Sequence, residues 1–194
     1  MKYLFALFFL TSTLYSFADK EVDTIHYVTI EQAHTMEIEA VTAIDLSKRK
    51  LTALPKELMQ YKYLRHLNLS KNKLTEIPEF LSSFVYLIDL NLSKNNLTVF
   101  PSEICKMKSL KQLGISQNPF SHISECIINL DNLKFIDLFE TPLETFPNAF
   151  LAMKNLKHID MQGIVYGPTY QQKWRRGLHW VKIEFDAPCD CMEK

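Results

Sequence analysis

Residues 64–72 read LRHLNLSKN and residues 87–95 read LIDLNLSKN, with apolar side chains at the first, fourth and sixth places and, Ile88 apart, polar ones at the others. The fourth and sixth places alternate with polar neighbours, the two-residue period of a strand with one apolar edge. The same spacing starts at Val41, Leu64, Leu87, Leu110, Leu133 and Leu156, each 23 residues after the last. Fourth places hold Ile44, Leu67, Leu90, Leu113, Ile136 and Ile159, and sixth places Leu46, Leu69, Leu92, Ile115, Leu138 and Met161. Leu51, Leu74, Leu97, Phe120 and Leu143 fill the eleventh place, and Leu58, Leu81, Ile104, Ile127 and Phe150 the eighteenth.

The polar places are periodic too. The ninth holds Asn72, Asn95 and Asn118, with Arg49 and Thr141 as departures; the fifteenth holds Pro55, Pro78, Pro101 and Pro147, with Ser124 departing. Asparagine there turns the chain off the strand and can bond backbone groups of the adjoining coil. Proline bends the chain into a short helical or irregular segment whose eighteenth residue returns to the core. No copy can bury its own leucines, so copies must stack. The pattern predicts a leucine-rich repeat array over 41–166, five full copies and a partial sixth. Its fold class is a curved α/β solenoid with a parallel sheet on the concave side. Both ends need covers. Thr29 to Gln32 is a capping box opening a short helix in an N-terminal cap over 19–40. Thr169 to Gln172 repeats that signature in a C-terminal cap and tail over 167–194. There Gly177 ends the helix, and His179, Val181, Ile183 and Phe185 alternate as a strand would.

The stretches VTAIDLSKRKLTALPKEL and YLRHLNLSKNKLTEIP resemble the 23-residue leucine-rich repeat proteins of the spirochaete Leptospira, many of which are exported. The repeat is also similar to that of eukaryotic Ras-suppressor-like scaffolds, which a bacterial leader fits poorly. The resemblance covers about residues 25–165. It implies a binding role, at a host–pathogen surface among other places, and names no ligand.

Composition adds a compartment. Lys2 precedes an apolar run from Tyr3 to Leu10, and Ser16-Phe17-Ala18 places small residues before Asp19, so residues 1–18 are expected to be a signal peptide cleaved after Ala18. The apolar core is short of the ~20 residues that a membrane span needs, and no later stretch could span. The expected location is secreted or cell envelope. The whole chain has 22 Lys and Arg against 22 Asp and Glu. Losing Lys2 leaves 21 against 22, a balance that steers the chain neither to nucleic acid nor to anionic membrane. Four cysteines permit three pairings. Cys105 and Cys126 are expected to be partly free, buried thiols, and Cys189 and Cys191 to be free or paired at long range.

The third, fifth, seventh and eighth places should face the concave side. In the first three copies they carry a repeated Ser-Lys pair that reads as solvated surface. The fourth and fifth copies differ: Gly114 and Ser116 leave a small floor, and Phe135 and Phe139 stand four apart on one strand, outside the core places. Two rings there are either covered by the C-terminal cap or form an exposed hot spot. The candidate partner-binding set is Phe135, Phe139, Asp137, Glu140, His158, Asp160, Gln112, Asp89 and His66. These acids and histidines have no convincing metal spacing, so no metal or other cofactor is expected and a metal-binding protein is only a remote alternative. KWRRG (173–177) reads as the wet side of a cap helix with Trp174 turned inward. No nucleophile, zinc or phosphate-loop motif is present. The expected function is therefore not enzymatic: a module binding a protein ligand on its concave face, with a periplasmic or envelope scaffold as the alternative.

Overall fold

The computed structural model describes residues 25–187. The leader, Cys189 and Cys191 lie outside them. Seven strands form one parallel sheet in sequence order: β1 Ala43–Asp45, β2 His66–Asn68, β3 Asp89–Asn91, β4 Gln112–Gly114, β5 Phe135–Asp137, β6 His158–Asp160 and β7 Lys182–Glu184. From β1 to β6 the register follows the repeat, so that Leu67 pairs Leu90 and Leu113 pairs Ile136. The middle residues of β1 to β6 are fully buried. Each such side chain contributes ~1.5–3 kcal/mol by leaving water. The fold is the expected leucine-rich repeat solenoid, with one more strand than the six the repeat spacing supplies.

Past each strand the backbone turns through left-handed geometry at the eighth place. Lys48, Lys71, Lys94, Gln117 and Glu140 have φ of 58°, 60°, 62°, 52° and 49°, and Gly163 closes the series at 78°. A Cβ on Gly163 would lie 2.4 Å from Glu140 Cγ and 3.1 Å from its backbone, so this coil admits only glycine. Opposite the sheet, each coil makes one short 3-10 segment: Lys56–Gln60, Glu79–Ser83, Ser102–Lys106, Glu125–Asn129 and Asn148–Ala152. Their eighteenth-place residues are fully buried.

The asparagines clamp neighbouring coils. Asn95 Nδ2 donates to Leu69 O at 3.0 Å and Leu92 O at 2.9 Å, and its Oδ1 accepts from Leu74 N at 3.0 Å. Asn72 and Asn118 do the same one coil to either side. Thr141 ends the series, and its buried Oγ1 has no partner.

Helix α1, Ile30–Ala33, begins in the expected capping box at Thr29. Arg49, the ninth-place departure, reaches Glu31 with both guanidinium nitrogens at 3.1 Å. The Thr29 side chain, then the local backbone and Arg49, hold the Glu31 carboxyl down to about 2. Val28 pairs with Ile44 and covers the outer edge of β1.

The far end departs from expectation in three respects. Helix α2 runs Pro168–Gly177 with Gly167 as its cap, so the Thr169 signature does not open it; the fixed φ of Pro168 suits the first helical position. Gly177 does not end the helix in a left-handed turn. It is the last helical residue, and a Cβ there would stand 2.8 Å from Leu151 Cδ2, so its role is close packing on the last coil. The strand predicted from His179 is only Lys182–Glu184, and His179 is exposed. Ile183 and Phe185 do turn inward. Trp174 is buried beside Phe146, with ring centroids 4.7 Å apart, and Arg175 donates to Ile183 O.

Cys105 and Cys126 are joined in a disulfide with Cα atoms 5.7 Å apart, which corrects the expectation of free thiols. They occupy different places of successive repeats, the nineteenth and the seventeenth, so alignment by place did not pair them. Stacking of the convex segments brings them together.

Candidate functional site

The concave surface is built from strands only three residues long, so its chemistry is set by the third and fifth places. Fifth-place side chains fold back on their own turns. Asp45, Asn68, Asn91, Asp137 and Asp160 each accept, through Oδ1, the N–H two residues on, at 2.8–3.1 Å. This is the Asx-turn geometry of short polar side chains. Asp137 and Asp160 are thus structural acceptors as well as candidate ligand groups. Gly114 is the one fifth-place residue without such a side chain.

Around Gly114 the sheet opens into a concavity of about 240 Å³, bounded by Tyr27, Asp89, Gln112, Phe135 and Asp137. Strand pairing places Gln112 between Asp89 and Phe135, and Gly114 between Asn91 and Asp137. Four of the nine candidate residues therefore share one hollow: Asp89, Gln112, Phe135 and Asp137. His66 stands at its border, with Nδ1 3.5 Å from Asp89 Oδ2.

Tyr27 was not legible in the repeat. It comes from the N-terminal cap, out of register with the 23-residue spacing, and its hydroxyl donates to Asp89 Oδ2 at 3.3 Å. Burial, then the charge of Asp89, pushes its hydroxyl pKa up to about 12. The available signal was the β-branched and aromatic content of the segment Ile25 to Val28, where Val28 bridges to Ile44 as a strand residue does.

The other candidates lie along the same surface. Phe135 packs edge-on against His158, with centroids 4.9 Å apart. His158 Nε2 is 3.2 Å from Glu184 Oε1. The Glu184 carboxylate is stabilised chiefly by its hydrogen bond from Lys182, and its pKa is lowered. Phe139 is past the end of β5, with its N–H on Asp137, so the two phenylalanines do not share one strand face. Glu140 lies beyond it in the left-handed turn, accepting from Gln117 Nε2.

Both rings are half-buried. The most exposed large apolar residues are instead Val99, Val85, Val165 and Tyr86, at 74%, 62%, 59% and 51%. Neither ring is fully exposed, and Phe135 leans onto His158. Serines at the seventh place also turn in further than expected, with Ser70 and Ser116 buried. Among the described residues no three His, Cys, Asp or Glu side chains converge as a metal site, and no helix is long and apolar enough to cross a membrane.

The family model for the Leucine Rich Repeat matches residues 63–84 and 86–107. A solved leucine-rich repeat protein of Leptospira interrogans superposes with a TM-score of 0.67 at 22% identity, covering 86% of this chain and 49% of its own. The chain thus spans about half the length of that protein. No curated protein sequence matches it.

Proposed function

We propose that this leucine-rich repeat solenoid is an exported module that binds a protein ligand on its concave face, centred on the hollow above Gly114. The observation that carries the reading is that hollow: an aromatic wall at Phe135, two carboxylates at Asp89 and Asp137, and an amide at Gln112, on one open surface. Solenoids of this kind bind through extended concave surfaces. An aromatic wall rimmed by polar groups provides an anchor and a means of orienting the partner. His158 and Asp160 extend the polar rim along β6, and His66 extends it along β2. The repeat pattern supplies no catalytic constellation, so the role is recognition. Export is supported by the apolar leader and by the Cys105–Cys126 disulfide, a bond that persists in oxidising compartments.

A photo-crosslinking residue at Gln112, which is exposed on the concave side, tests this in the protein's own cells. A discrete adduct is expected from position 112 and none from position 57 on the convex side. Equal labelling from both positions, or none from 112 with and without host cells, would remove the concave-face reading. An adduct formed only when host cells are added assigns a host-facing role. An adduct with an envelope protein assigns a scaffold.

A further inference from the structure

The turn that enters each strand forms a flank of the solenoid, distinct from the concave face. It comprises residues 62–65, 85–88, 108–111, 131–134 and 154–157, stacked coil on coil by backbone bonds such as Lys111 N to Ile88 O and Lys134 N to Lys111 O, both 2.8 Å. These segments hold seven cations and one acid, Asp131, although the chain as a whole balances 22 against 22. Lys111, Lys134 and Lys157 occupy the same place on successive coils, ~4.8 Å apart along the stack. All three are exposed and none forms an ion pair within the described residues. Like charges at that spacing repel, so nothing internal to the fold calls for this row.

The first two coils of the flank add exposed apolar surface beside Lys62 and Arg65. Val85 is 62% exposed, and Tyr63 and Tyr86 stack at 5.8 Å with both rings reaching solvent. In the later coils the place of those tyrosines is taken by Ser109, Asn132 and Asn155, which donate to the carbonyls of Val85, Lys108 and Asp131 and so tie each turn to the coil before it. The tyrosines make no such bond. They replace a stabilising contact with exposed ring surface.

We infer that this flank docks on a bilayer bearing anionic headgroups, with the lysine row on the headgroups and Tyr63, Val85 and Tyr86 entering the interfacial layer. Charge complementarity selects an anionic surface. Amphipathic rings beside cations suit the boundary between headgroup and acyl chain. A soluble polyanion would satisfy the lysines but offer Val85 no apolar phase. Docking by the flank leaves the concave hollow open, so this inference stands apart from the proposal for that face.

Flotation of the full chain with vesicles tests it. The protein should float with vesicles of phosphatidylcholine and phosphatidylglycerol, less so as salt rises, and not with phosphatidylcholine alone. Lys111→Glu/Lys134→Glu/Lys157→Glu should weaken binding by roughly tenfold or more, and Val85→Ser/Tyr86→Ser should weaken it severalfold. All variants share the same N-terminus, so any contribution of the leader cancels between them. The triple Lys→Gln variant, checked for an unchanged melting curve, replaces the reversal if that fails to fold. Equal flotation with both vesicle types, or wild-type flotation of the lysine variants, overturns the inference. Binding that needs the lysines, ignores Val85 and Tyr86, and is displaced by soluble polyglutamate also overturns it, and assigns the flank to an acidic protein.

Discussion

The ninth place of each coil shows how much one buried side chain contributes to a stack. Asn95 is 5% exposed, and its amide joins the backbones of two coils through three hydrogen bonds. A net hydrogen bond contributes ~0.5–1.5 kcal/mol, and a buried polar group left unmet costs ~1–3 kcal/mol. Thr141 sits at the same place one coil beyond Asn118, 1% exposed, with its hydroxyl unmet. Thr141→Asn should restore the clamp between the fourth and fifth coils and raise stability by ~1 kcal/mol. A rise in the denaturant midpoint at constant slope is the expected result. The same place carries Arg49 at the other end, where the side chain leaves the stack and pairs with Glu31 on the cap.

Individual strands here are too short to persist alone, and the 3-10 segments have no length to stabilise themselves. Each element is held by its neighbours in the stack. The disulfide works at this level. It ties the segment Ser102–Lys106 to Glu125–Asn129, its cysteines standing 21 positions apart. Closing a loop of that size in the unfolded chain stabilises the fold by ~2–4 kcal/mol. Cys105→Ser/Cys126→Ser should lower the unfolding free energy by ~2–4 kcal/mol in equilibrium denaturation. Adding reductant to the wild-type protein should reproduce the loss, and adding it to the double variant should change nothing. Helix α2 is the other element that depends wholly on its contacts. Trp174 and Leu178 are buried against the last coils, while the exposed Lys173 and Arg176 leave its outer side wet.

At the scale of the molecule, one continuous core runs from Ala33 to Phe185. A cavity in its middle is therefore felt on both sides. Leu92 is fully buried on the inner edge of the third coil. Leu92→Ala should cost ~2–5 kcal/mol, the range for a buried leucine replaced by a void. Far-ultraviolet circular dichroism and tyrosine fluorescence should report one shared transition at the lower midpoint. The concave face and the basic flank are different surfaces of this one body, and their ligands can be tested independently.

The 23-residue period by itself determined the solenoid, the strand register and the buried ladder. Those depend on which side chains must leave water, and a fixed spacing repeats that demand in every coil. Thr29 and Gln32 also declared the start of α1, because a capping box is satisfied within four residues. Contacts that cross the period were decided only by the tertiary structure. Tyr27 reaches Asp89 over 62 positions, from a cap segment that lies out of step with the repeat. Cys105 and Cys126 stand at unlike places of successive copies and meet only because the convex segments stack. Phe135 and Phe139 read as one aromatic face because a two-residue alternation was extended past Asp137. The backbone leaves the strand there, since the Asp137 carboxylate captures the N–H of Phe139. The seventh strand was half visible: Ile183 and Phe185 mark an apolar edge. That it joins the sheet in parallel beside β6 follows from the path of α2 across the last coil, a route the sequence spacing does not encode.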